Sequence, residues 1–223
     1  MSHRDPQWRI DREHPIGGEM SDIVRGLIRH GQLDYLVRRY SSIPVLSIFS
    51  FVNGCISIAI MAFAALITGA PFVFPSLGPT AFLFFYTPTA PTASPRNALV
   101  GHAIGAAAGY FSLQVFGLAD AGPAVTSDMT WPRVLAAGLS LGLTSGVMVL
   151  LRSPHPPAGA TTLIISLGVL HQPWEIGVLM LAVVMLTIQA FVINRAAGIN
   201  YPVWNPIQRA TPATDSGAPP RAQ

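Results

Sequence analysis

The sequence predicts an all-α polytopic membrane protein built as a 3+3 inverted repeat, with four full-length transmembrane helices plus two short Pro/Gly-interrupted half-helix segments. Three observations lead there. The 223 residues are 51% hydrophobic and only 10% charged, against about 25% charged in ordinary soluble domains. Between positions 43 and 207 the formal charges are Arg96, Asp120, Asp128, Arg133, Arg152, Glu175 and Arg195 alone, too few to keep a soluble fold of that length hydrated. The apolar runs also follow one order twice over: long, short, long.

Residues 1–42 are expected as a cytoplasmic N-terminal segment, since they hold seven of the 13 basic and six of the 10 acidic residues. The first apolar run begins only after these 42 positions, so no signal peptide is expected. Here Ile23, Val24, Leu27, Ile28, Leu36 and Val37 are interspersed with Arg and Asp. That pattern is open to two readings, an amphipathic helix on the membrane surface or an ordinary polar tail.

The long runs, at 43–68, 97–118, 132–151 and 174–193, each suffice to cross about 30 Å of hydrocarbon at roughly 1.5 Å per residue. The stretches 71–86, PFVFPSLGPTAFLFFY, and 158–170, AGATTLIISLGVL, are too short to be ordinary spans and begin in Pro/Gly-rich backbone. Gly101, Gly105 and Gly109 recur every four residues, as do Gly138, Gly142 and Gly146. Small residues at this spacing let helix backbones approach inside a bilayer; packing is their expected use, and such faces also favour a homodimer. The single Cys55, inside an apolar run, is expected as a packed thiol. Residues 198–223 are expected as a cytoplasmic, largely disordered tail, rich in Pro, Ala and Ser.

The arginines settle how the short segments are counted. If both cross, 12 of the 13 arginines and both termini are cytoplasmic, while Asp120, Asp128, Glu175 and only Arg133 lie outside, as the positive-inside rule requires. Hairpins in their place would strand Arg96 and Arg152 outside. Trp131 and Trp174 then fall at outer ends, where interfacial aromatics belong. The net charge of +3 is thus a topology signal and implies no nucleic acid. A multi-pass chain of this kind is expected in a bacterial inner (cytoplasmic) membrane.

The short segments align without gaps: PSLGPTAFL from Pro75 and PPAGATTLI from Pro156. Both contain Pro-x-x-Gly-x-Thr, as Pro75, Gly78, Thr80 and as Pro156, Gly159, Thr161. They divide one transmembrane domain, 43–197, into repeat 1 at about 43–118 and repeat 2 at about 132–197. With three crossings each, the halves are inverted, and paired interrupted segments point to a midplane site. Irregular backbone at membrane depth must be buried or line a cavity. Each half-helix starts after its Pro/Gly portion, so its N-terminus aims inward with free N–H groups and about half a positive charge.

Candidate substrate-binding residues are therefore Pro75, Ser76, Gly78, Thr80 and Ala81 on the first segment, and Pro156, Pro157, Gly159, Ala160, Thr161 and Thr162 on the second. Helix capping is the alternative use of each threonine, and Pro79 suits a first helical turn. His155 sits in the break, able to donate to an anion or shuttle a proton. His102 lies beside the glycine row, where a neutral hydrogen-bonded ring is the alternative to ligand contact. No Asp, Glu or Cys accompanies the histidines, so no metal and no cofactor is expected. The spans hold no paired nucleophile and base, which argues against an enzyme, and no midplane acid, which argues against a carboxylate relay or Na⁺ site. Arg96 and Arg152 are expected to hold topology and to draw an anion to a vestibule.

SPHPPAGATTL, with His155-Pro156-Pro157, resembles the signature of the HPP family of integral membrane proteins. FPSLGPTAFLFF followed by SPRNALVGHAIGAAAGY is similar to that family's first half, and the resemblance covers about residues 40–197. It implies nitrite transport, which is associated with plant plastid and cyanobacterial relatives. Some relatives carry C-terminal CBS domains; none is expected here, nor regulation by a bound nucleotide. The expectation is a membrane transporter or channel for a small monovalent anion, nitrite first, held between 78–81 and 159–162. The alternative is a membrane scaffold or sensor without transport. The partners are the anion and the lipid bilayer.

Overall fold

The computed structural model describes residues 33–39 and 42–207. The expectations for 1–32, for 40–41 and for the tail from 208 lie outside the described residues. The described chain is all-helical, with seven α-helices, one 3₁₀ turn and no strand. In order these are α1 (Leu33–Arg39), α2 (Ser42–Thr68), α3 (Leu77–Tyr86), the 3₁₀ turn Pro91–Ala93, α4 (Pro95–Val115), α5 (Trp131–Leu150), α6 (Ala158–Ser166) and α7 (Pro173–Ala196). Four of them, α2, α4, α5 and α7, are long and apolar enough to cross a membrane, making this a multi-pass membrane protein. The 10 residues of α3 and nine of α6 reach only about 14–15 Å at 1.5 Å per residue.

Local chemistry sets the helix ends. Pro95, Pro132 and Pro173 each stand in a first turn, where a missing N–H costs nothing. Ser94 Oγ accepts the Asn97 N–H at 3.3 Å. The Glu175 carboxylate accepts the N–H groups of His171 and Gln172 at 3.0 and 2.9 Å. The predicted span 97–118 stops at Val115 because Gly117, at φ +63°, turns the chain out of the helix. Gly168, at φ +78°, does the same after α6.

The tightest packing joins α4 to the segment leading into α6. A Cβ added at Gly101 would lie 2.7 Å from His155 Cβ, at Gly105 2.6 Å from the Ala158 carbonyl oxygen, and at Gly109 2.7 Å from that of Thr162. This stepwise pairing runs α6 alongside α4 in the same direction. The second glycine row differs from expectation. Gly138, Gly142 and Gly146 are exposed, with nothing within 4 Å of an added Cβ, so within this chain they pack against nothing. Cys55, expected as a packed thiol, is also exposed. It lies on α2, whose Phe51, Phe63 and Leu66 are 61–79% exposed, an apolar face that suits lipid.

Arginines tie the two ends. Arg133, almost fully buried, donates to the carbonyls of Ala121, Gly122 and Leu167 at 2.9, 3.2 and 3.5 Å, closing the α4–α5 loop over the end of α6. At the opposite end Arg96 donates to the Leu151 and Arg152 carbonyls at 3.2 and 3.3 Å, where a cation also meets the negative end of the α5 dipole. Tyr201, beyond α7, folds back so that its hydroxyl donates to the Ala93 carbonyl at 2.7 Å. Burial pushes that phenol above its ordinary pKa, so it remains a donor.

The two glycine rows should therefore respond differently to one methyl group. Gly105→Ala forces the Ala158 backbone away and is expected to cost about 1–3 kcal/mol, read as a lower unfolding temperature in detergent. Gly142→Ala, in open space, should be neutral or slightly stabilising.

Candidate functional site

Four of the sequence-derived candidates, from three helices and the break before α6, converge on one point. Thr80 comes from α3, His102 from α4, His155 from the break before α6, and Thr161 from the first turn of α6. All four are fully buried. His102 is the centre: its Nδ1 lies 2.7 Å from Thr161 Oγ1, and its Nε2 lies 3.0 Å from Thr80 Oγ1 and 3.2 Å from His155 Nε2. Thr80 Oγ1 is also 3.3 Å from His155 Nε2 and donates to the Ser76 carbonyl at 2.8 Å. His155 Nδ1 donates to the Thr92 carbonyl at 2.8 Å. The two threonines of the matched Pro-x-x-Gly-x-Thr stretches thus meet on opposite nitrogens of a single ring.

The glycine row makes this geometry. With Gly101 against His155 Cβ and Gly105 against the Ala158 carbonyl, the break lies directly on α4, and His102, beside Gly101, reaches Thr161. Phe84 closes the other side, with its ring centroid 6.4 Å from that of His155 and 6.3 Å from that of Tyr201.

Two further candidates are fully buried without a hydrogen-bond partner: Ser76 Oγ and Thr162 Oγ1. Ala81 packs in the apolar core and Pro157 is buried as the residue before α6. Pro75, Gly78 and Pro156 are exposed, and Gly159 and Ala160 half-buried, so these five are not brought into the cluster. The expectation of free amides at the α6 N-terminus meets a different arrangement. The N–H groups of Ala158, Gly159 and Ala160 donate to the carbonyls of His155, Pro156 and Pro157 at 2.9–3.0 Å. The proline run folds into consecutive turns that consume these donors, so side chains are what the second segment offers.

A cavity of about 660 Å³ runs up to the cluster, its wall formed by Asn97, Met148, Arg152, Pro154, His155 and Pro206 among others. It is largely apolar, with Arg152 as its cation and His155 as the boundary with the buried cluster. Arg152 has φ +51°, the one left-handed non-glycine among the described residues. Its N–H donates to the Val149 carbonyl at 3.1 Å and that of Ser153 to the Met148 carbonyl at 2.9 Å. That is a helix-terminating motif whose left-handed position normally takes glycine. Arginine there costs roughly 1 kcal/mol.

Sequence reasoning missed other polar groups. Ser140 Oγ donates to Ser166 Oγ at 3.0 Å across α5 and α6, and Thr144 Oγ1 donates to the Ser140 carbonyl at 2.8 Å. The signal was present: Ser140 and Thr144, like Thr162 and Ser166, are four apart in apolar helices, hence on one face. The Thr92 carbonyl carried no signal, because any residue supplies one.

Comparison with known proteins adds three findings. The transmembrane region of the HPP family matches residues 41–202. A transmembrane protein of Dictyostelium discoideum is 30% identical over 135 residues, covering 58% of this chain and 44% of that protein; the chain spans under half the length of this curated relative. No solved structure matches.

The hydroxyls at 161 and 162 should separate cleanly. Thr161→Val leaves the buried His102 Nδ1 without its partner and is expected to cost about 1–3 kcal/mol. Thr162→Val removes a hydroxyl that bonds nothing and should be neutral or stabilising. Denaturation of both variants in detergent is the check; equal losses would deny that Thr161 supports the ring.

Proposed function

The chain belongs to the HPP family of transmembrane proteins, and on that premise we propose that it carries a small monovalent anion across a bacterial inner membrane, with nitrite the first substrate to test. The observation that carries this reading is the meeting of Thr80 and Thr161, equivalent positions of two matched stretches, on His102. A 3+3 inverted repeat with both termini cytoplasmic accounts for that symmetry. It brings the start of each short helix to one midplane site. The cavity supplies an approach, Arg152 an attraction for the anion, and Ser76 and Thr162 two unused donors. In this reading the protein has no catalytic role, and the open glycine row on α5 is where a second copy would pack.

One observation favours the scaffold or sensor reading. The four central side chains bond one another with no exposure, so transport requires this cluster to open.

Flux into proteoliposomes separates the two. Nitrite uptake above protein-free vesicles is expected, and no flux with nitrite, nitrate, formate or chloride would overturn the transport reading. Arg152 supplies a sharper comparison. Arg152→Gly relieves the left-handed strain and should leave the protein as stable or about 1 kcal/mol more so. It should also slow anion uptake at low salt by roughly tenfold, while Arg152→Lys retains most of it. The difference should narrow in high salt, where screening shortens the reach of the charge.

A further inference from the structure

We propose that His102 and His155 together hold one proton that moves with the anion, making the protein a one-to-one proton–anion symporter; this rests on the transport reading above. The hydrogen-bond directions carry it. The Thr92 carbonyl only accepts, so His155 Nδ1 bears a hydrogen and leaves Nε2 as the open position. That atom faces His102 Nε2 at 3.2 Å, and one ring must supply the hydrogen between them.

With both rings neutral, every donor has a place. His102 Nε2–H points to His155 Nε2 and Thr80 Oγ1, the Thr161 hydroxyl donates to His102 Nδ1, and the Thr80 hydroxyl donates to the Ser76 carbonyl. One additional proton fits at His102 Nδ1 when the Thr161 hydroxyl turns to accept. Loading forms that single N–H bond and unloading breaks it, with no electron transferred and no other bond changed. A second additional proton would have to sit on His155 Nε2, placing two hydrogens and two positive charges in a 3.2 Å gap. The pair has room for one.

What surrounds the pair makes the proton depend on an anion. Thr80 and Phe84 face it from α3, the Thr92 carbonyl from the 3₁₀ turn, Thr161 from α6, and Tyr201 stands behind Phe84. Among the fixed charges, Arg152 lines the cavity that reaches His155, Arg96 is bonded to the Leu151 and Arg152 carbonyls just past α5, and Arg195 lies over the Phe191 ring. The acids of the spanning region, Asp120, Asp128 and Glu175, are in the α4–α5 loop and the first turn of α7. A buried imidazolium without a carboxylate is costly unless a counter-ion arrives. A substrate anion is that counter-ion, and the buried Ser76 and Thr162 hydroxyls, on the two short segments that bring Thr80 and Thr161 to the pair, are donors without a partner. Each ligand then raises the affinity for the other.

The test uses the full chain in proteoliposomes with a lumenal pH dye, a potassium–valinomycin voltage clamp, and nitrite and nitrate as probes. Protein-free vesicles set the background from permeating acid. One lumenal proton per anion is expected, at a rate insensitive to voltage, and His102→Gln should lower the proton-to-anion ratio severalfold at whatever flux remains. Anion flux that carries current without acidification would overturn the coupling and leave the transport reading standing; no flux of any anion would overturn both. Should the variant fail to fold, ¹⁵N spectra of the unaltered protein labelled at histidine decide. Uptake of one proton by the pair, promoted by nitrite, supports the proposal. Two imidazolium rings in one molecule overturn it.

Discussion

Only a hydrogen atom fits between α4 and the backbone that follows Arg152, and the interior is arranged around that contact. At Gly101, Gly105 and Gly109 the neighbours are His155 Cβ and two carbonyl oxygens, none of which can swing away as the tip of a flexible side chain would. The break is thereby pinned against a full-length span, and irregular backbone is kept out of lipid, where its polar groups would go unpaired. The prolines and the glycines are two halves of one device. Pro154, Pro156 and Pro157 follow the end of α5 and lead into α6 through consecutive turns, and the glycine row holds those turns where His102 reaches Thr161.

The electrostatics follow from where the charges are placed. Arg96 and Arg133 satisfy backbone carbonyls at opposite ends, each closing a loop or helix terminus. Arg152 stands at the cavity on a strained residue, a placement that helix termination alone does not call for, since glycine would serve better. The middle holds imidazoles and hydroxyls with no fixed charge. Charging a buried site of that kind is costly unless a counter-ion accompanies the charge, and this constraint underlies the proposed joint binding of proton and anion.

Much of the fold was legible because a bilayer permits so few solutions. Length and apolarity located all four spans to within three residues at each end, and Pro-x-x-Gly-x-Thr singled out Thr80 and Thr161 before any contact was visible. His102 and His155 were legible as polar residues needing partners, although nothing in their spacing, 53 positions apart, shows that they touch. The amides of α6 were misjudged because helix-start reasoning counts donors on the helix and overlooks the turns ahead of it. The two glycine rows have the same spacing and opposite surroundings; periodicity shows that a backbone can be approached, and only tertiary structure shows by what.

On the proposed function, the anion sits at the Thr80–His102–Thr161 meeting point, with His155 beside it. The decisive measurement is a structure determined with nitrite bound, at a resolution that distinguishes the anion from water. Density is expected among Thr80, His102 and Thr161, with the Thr–His hydrogen bonds opened to admit it. Density at Arg152 or elsewhere in the cavity, over a cluster still closed on itself, would contradict it.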